Sequence, residues 1–188
     1  MEAFLVSAGI VALAEIGDKT QLLALLLSAR FRRPVPIILG ILVSTLANHA
    51  LAGYVGAWVA AKVSPDLMRW ILGLSFLAMA VWILIPDKVD DGATSQRARF
   101  GIFGTTAIAF FLLEMGDKTQ IATIALAAKY PSLAAVVAGT TVGMMLANVP
   151  AVLLGEVASK KLPLKLVHGI AAALFAVLGI LVLLGVGR

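Results

Sequence analysis

The chain has no cysteine, and only 13% of its 188 residues are charged. The first absence excludes a disulfide framework and a thiolate metal site. The second, with 61% hydrophobic residues and a mean hydropathy of +1.03, excludes both an ordinary soluble domain and a disordered chain. A net charge of +5 would suit nucleic acid. Here, however, the basic residues gather in short loops between apolar runs, where they read as topology signals.

What remains is six apolar segments, roughly 3–29, 35–61, 67–85, 101–128, 132–158 and 165–186. A helix needs about 20 residues to cross the hydrocarbon core, and each segment meets or nearly meets that length. Pro34, Pro36, Pro65, Pro86, Pro131 and Pro163 punctuate the gaps. Pro150 falls inside the fifth segment and predicts a kink there. The first segment has Glu2 where a signal peptide would be basic, so it reads as a permanent span.

The loops set the orientation. One side carries Lys62, Arg69, Lys129 and Arg188; the other carries Arg30, Arg32, Arg33, Lys88, Arg97, Arg99, Lys160, Lys161 and Lys165. The richer side is expected in the cytoplasm, with both termini facing away from it. The longest loop, 86–100, contains Asp87, Asp90 and Asp91 and reads as a solvated cytoplasmic linker in preference to a regulatory calcium site.

The two halves align at an offset of 99 residues: Glu15 on Glu114, Arg30 on Lys129, Gly40 on Gly139, Gly56 on Gly155 and Phe76 on Phe175. Leu46-Ala-Asn48 falls on Leu146-Ala-Asn148 after a shift of one residue. Each half holds three spans, so the second should enter the membrane upside down. The expected fold is an all-α polytopic membrane protein with six transmembrane helices in two inverted three-helix repeats. The repeats are residues 1–85 and 101–188, joined by the linker 86–100. Gly40-x-x-x-Ser44 and Gly139-x-x-x-Gly143 are small-residue patterns for close helix packing.

The alignment centres on a duplicated motif, Glu15-Ile-Gly-Asp-Lys-Thr-Gln21 and Glu114-Met-Gly-Asp-Lys-Thr-Gln120, in the middle of the first and fourth segments. A charged side chain at mid-span costs roughly 2.5–3.5 kcal/mol, so such residues mark functional sites by default. On a continuous helix Glu15, Asp18 and Gln21 share a face, as do Glu114, Asp117 and Gln120. Gly17 and Gly116 permit local unwinding there, which would free carbonyl ligands. Four carboxylates and the two lysines Lys19 and Lys118 sum to −2. One divalent cation or two protons would neutralise that charge equally, which is the arithmetic of exchange.

The expected metal ligands are Glu15, Asp18, Glu114 and Asp117, with Gln21, Gln120, Asn48 and Asn148 completing an oxygen shell. Such a shell suits Mg²⁺, Ca²⁺ or Mn²⁺. The same four acids are the expected proton carriers. Gly17, Lys19, Thr20, Gly116, Lys118 and Thr119 are expected to support the motif. Lys19 stands four residues after Glu15, the favourable order for an intrahelical pair, or serves as a tethered charge that tunes the empty site. His49 has no partner in the repeat and reads as a packed or interfacial histidine, and Met115 reads as core packing in preference to a soft sulfur contact.

These motifs resemble the doubled signature of uncharacterised protein family 16, the Golgi calcium/manganese–proton antiporters and their bacterial manganese exporters. The resemblance spans nearly the whole chain and covers Glu15, Gly17, Asp18, Lys19 and Thr20, and Glu114, Gly116, Asp117, Lys118 and Thr119. It implies a secondary transporter, not an enzyme, that exports a divalent cation in exchange for protons without a resident cofactor. The minimal loops resemble bacterial members, which implies the inner membrane and favours Mn²⁺ over Ca²⁺ as substrate. The rival readings are an intramembrane metal-dependent phosphatase and a small-solute exporter. The first lacks an arginine at mid-span to face phosphate; the second has no need of two identical acidic motifs.

Overall fold

A computed structural model describes residues 1–85, 100–154 and 164–185. Among the described residues there are eight helices and no strand: α1 (Glu2–Glu15), α2 (Lys19–Phe31), α3 (Pro34–Lys62), α4 (Pro65–Trp82), α5 (Gly101–Glu114), α6 (Lys118–Lys129), α7 (Leu133–Leu154) and α8 (Leu164–Leu183). Three apolar stretches, Pro34–Lys62, Leu133–Leu153 and Lys165–Leu183, are each long enough to cross a membrane unaided. Pro34 and Pro65 open their helices, where a fixed φ and a missing N–H cost nothing. Pro150 lies inside α7, and the helix continues through it. The predicted linker charges Asp87, Asp90 and Asp91, and Gly155 of the repeat alignment, lie outside the described residues.

The first and fourth segments are not continuous helices. Each breaks at its motif, into α1 and α2 and into α5 and α6. The cause is local. Ile16 and Met115 turn extended, and Gly17 and Gly116 take φ of +85° and +76°. A Cβ at such an angle is strained, and glycine has none. The Asp18 and Asp117 N–H groups still bond back to the Glu15 and Glu114 carbonyls, at 3.0 and 3.1 Å, before a new helix starts.

Packing crosses between the halves. α1 runs along α7, α5 along α3, and α4 along α8, while α3 and α7 meet at the centre with α6 and α2 beside them. The glycines permit these approaches. A Cβ on Gly139 or Gly143 would collide with the α1 backbone at Phe4 or Ala8, and one on Gly40 would stand 2.8 Å from the Thr106 Cβ of α5. The small-residue patterns therefore work as helix contacts, as expected.

Polarity is inverted relative to a soluble domain. Leu39, Tyr54, Trp58, Trp70, Leu74, Leu146, Leu174 and Ile180 lie exposed, while Glu15, Asp18, Thr20, Asn48, His49, Glu114, Asp117, Lys118, Thr119 and Asn148 are buried. An apolar exterior of this extent is suited to lipid.

Candidate ion-binding centre

The helix breaks decide where each motif side chain stands. Glu15 and Glu114 end their helices, while Asp18 and Asp117 cap the next ones. The expectation that glutamate, aspartate and glutamine share one helical face therefore fails, because no single helix joins them. Each glutamine folds back instead. Gln21 Oε1 accepts the Gly17 N–H at 2.9 Å, and Gln120 Oε1 accepts the Gly116 N–H at 2.8 Å. These bonds satisfy backbone donors that the break leaves without helical partners.

Of the two readings of Lys19, the intrahelical pair with Glu15 does not form. The Lys19 ammonium lies 2.7 Å from Asp117, and Lys118 lies 3.4 Å from Asp18. The motifs thus exchange partners reciprocally. Lys118 and Asp18 are almost wholly buried, whereas the Lys19 side chain is 21% exposed. Buried pairs of this kind contribute little net stability, but losing one partner strands the other.

The two glutamates are fully buried. Thr20 donates its hydroxyl to Glu15 Oε1, and Thr119 donates to Glu114 Oε2 at 2.6 Å. Among the described residues, Glu15 Oε2 and Glu114 Oε1 have no hydrogen-bond partner. A buried carboxylate oxygen without a donor is costly unless a proton or a cation joins it.

The asparagines serve the two motifs differently. Asn148 donates to Glu15 Oε1 at 2.9 Å. Asn48 donates to the Phe111 carbonyl at 3.0 Å and accepts from Gln120 Nε2 at 3.1 Å. Gln21 Nε2 reaches the Ala147 carbonyl at 3.0 Å. Among the described residues, no three histidine, aspartate or glutamate side chains converge into a ready-made metal cluster.

Sequence reasoning missed two participants. His168 on α8 places Nε2 2.7 Å from the Ile16 carbonyl oxygen, inside the first break. Its partner is backbone, so no side-chain pattern announces it. Met144 lies one helical turn before Asn148 with its sulfur against the amide; the i, i+4 spacing was the available signal. His49 is buried, as expected of a packed histidine, whereas Met115 is 58% exposed and does not pack in the core.

A family model described as divalent cation/proton antiporter GDT1 matches residues 3–91 and 102–187. A Vibrio cholerae protein named "Putative manganese exporter" is 54% identical over 181 residues, 96% of this chain and 90% of that protein. GDT1-like protein 3 of Oryza sativa subsp. indica is 28% identical over 201 residues, covering 93% of this chain and 71% of the rice protein. GDT1-like protein 4 of the same rice is 27% identical over 199 residues, 93% and 70% of the two chains. No solved structure matches.

Proposed function

Since the chain belongs to the GDT1 family of divalent cation/proton antiporters, we propose that it exports Mn²⁺ from the cytoplasm in exchange for protons, through a mid-membrane site built by its two motifs. The observation that carries this reading is the reciprocal crossing of the motifs, Asp18 with Lys118 and Lys19 with Asp117. It joins two helix breaks, and broken helices at the membrane midplane are where secondary transporters hold their ions.

The four acids have distinct tasks in this reading. Asp18 and Asp117 hold the lysines of the opposite motif and keep the breaks together. Among the described residues Glu15 and Glu114 each keep one oxygen without a protein partner; Asp117 does too, at Oδ2, but its other oxygen is held by Lys19. The two glutamate oxygens carry protons until a cation takes their place, and the arriving cation releases the protons to the other side. Thr20 and Thr119 orient the carboxylates, and the glutamines keep the breaks open. Asn48 is tied at both ends and supports Gln120, whereas Asn148 touches Glu15 directly.

The architecture follows from the same pairing. Six crossings arise if α1 with α2 and α5 with α6 each count as one broken span, in two halves of opposite orientation. The exchanged packing of α1 on α7 and α5 on α3 supports this, as does the family match in two stretches that coincide with the halves. The basic loop side then faces the cytoplasm of a bacterial inner membrane, with both termini opposite.

The test is Mn²⁺ and Ca²⁺ flux in proteoliposomes under an imposed pH gradient. Changes one shell away from a metal cost roughly 10–100-fold, so Glu15→Gln and Glu114→Gln should each lower Mn²⁺ flux by at least about 100-fold. Flux should also follow the proton gradient. Undiminished flux in either variant would overturn the paired-glutamate mechanism.

A further inference from the structure

One arrangement beside the first motif has no counterpart beside the second. The Asn148 amide nitrogen lies 2.9 Å from Glu15 Oε1, 3.1 Å from the Met144 carbonyl oxygen and 3.2 Å from Met144 Sδ. An amide nitrogen offers two N–H donors, yet three acceptors converge on it. Glu15, Met144 and Asn148 are all fully buried. Among the described residues, Asn148 Oδ1 and Glu15 Oε2 have no hydrogen-bond partner.

A buried point ringed by carboxylate, carbonyl and thioether lone pairs has the electrostatics of a cation position. The partly positive amide nitrogen fills it. Swinging the amide aside would vacate that point and leave carboxylate, carbonyl and thioether lone pairs facing a cation.

We propose that Met144 is a ligand of the transported ion, and that its thioether biases the site toward Mn²⁺ over Mg²⁺ and Ca²⁺. This rests on the antiport reading and adds the origin of its selectivity. Mg²⁺ and Ca²⁺ are hard ions that take oxygen ligands, so a thioether gains them little. Mn²⁺ also prefers oxygen, but as a first-row transition-metal ion it is less hard than Mg²⁺ or Ca²⁺, so one thioether in the shell penalises it less. A methionine used only as filler would meet apolar neighbours; here the sulfur meets the amide that holds Glu15.

The second motif lacks each part of this arrangement. Four residues before Asn48 stands Ser44, whose hydroxyl donates to the Ile41 carbonyl of its own helix at 3.0 Å. The Asn48 amide is bonded at both ends. Met115, within that motif, is exposed.

Cadmium is a soft probe for the test. The chain has no cysteine and six methionines, so any sulfur bound to Cd²⁺ must be a thioether. X-ray absorption at the cadmium edge on the purified wild-type protein should show one sulfur among oxygens. That sulfur should vanish in Met144→Leu, a swap that conserves volume. In proteoliposomes the same variant should lower the Mn²⁺:Ca²⁺ flux ratio by about 10-fold. An all-oxygen shell in the wild type, a sulfur that persists in Met144→Leu, or an unchanged flux ratio overturns the inference. Should Met144→Leu fail to fold, Met144→Gln is read in the same way, and an all-oxygen wild-type shell still overturns the inference. Wild-type protein that carries no divalent cation overturns the antiport reading and this inference together; Mn²⁺ flux with an unaltered ratio overturns this inference alone.

Discussion

The two motifs differ in one residue, Ile16 against Met115, yet they stand in unlike surroundings. The first break is covered: His168 meets its Ile16 carbonyl, and Asn148 and Met144 close on Glu15. The second is more open. Gly116 and Met115 are exposed, and the nearby Asn48 serves Gln120 and backbone instead of Glu114. Identical local sequence builds an identical break, because glycine at positive φ and an aspartate N-cap are local matters. What the break can bind depends on helices that come from elsewhere in the chain.

The largest difference should appear in the crossed ion pairs. Removing one partner of a buried pair costs about 3–5 kcal/mol, because the other charge is left in the interior. Lys118→Ala should approach that figure in thermal unfolding in detergent, since Lys118 and Asp18 are both almost fully buried. Lys19→Ala should cost clearly less, as water reaches the 21% exposed lysine side chain. Adding Asp18→Asn to Lys118→Ala should recover part of the loss. Equal costs for the two lysine variants would dissolve this distinction.

A smaller effect should sharpen the contrast between the asparagines. Asn48→Ala leaves Gln120 and the Phe111 carbonyl short of a partner, for a stability loss of about 1–3 kcal/mol. Its Mn²⁺ KM should stay near the wild-type value. Asn148→Ala should instead raise that KM by roughly 10-fold, as expected of a group touching a ligand. The reverse assignment of effects would place the ion beside the second motif.

The smallest effect lies at the end of the broken spans. Arg30 stands over the Phe31 ring and Lys129 over the Tyr130 ring, both at 5.3 Å, so the repeat persists here. Only the second half adds a hydroxyl, which Tyr130 donates to Glu2 at 3.2 Å. Partial burial, then the Glu2 charge and this hydrogen bond, hold the Tyr130 phenol above its ordinary value. The folded chain therefore keeps this proton at pH values where the unfolded chain loses it. The contribution is present below about pH 10 and declines as pH rises further. Tyr130→Phe should cost no more than about 1.5 kcal/mol at neutral pH and flatten the alkaline limb of a stability–pH profile.

Much of the fold was legible in the chain alone. Hydropathy and proline placement marked the segments, and α3, α4, α7 and α8 fall within a few residues of the bounds expected for them. The duplicated acids announced a site, because a charge in an apolar run is too costly to stand there without a task. Two of the failures share one cause. A helical face for Glu15, Asp18 and Gln21, and a Lys19–Glu15 pair, both assumed that neighbours in sequence interact through a continuous helix. Gly17 and Gly116 end that continuity, and each lysine then finds its counter-ion about a hundred residues away.

By itself, then, the sequence determined a membrane-suited chain of helices, two glycine-centred breaks and the acids that stand at them. Those are consequences of hydropathy and backbone sterics within a few residues. Which lysine neutralises which aspartate, which asparagine reaches a glutamate, and that Met144 and His168 join the first break were decided only by tertiary packing. In an interior without water each buried charge must take the nearest complementary group in space, and spacing along the chain does not disclose which group that is.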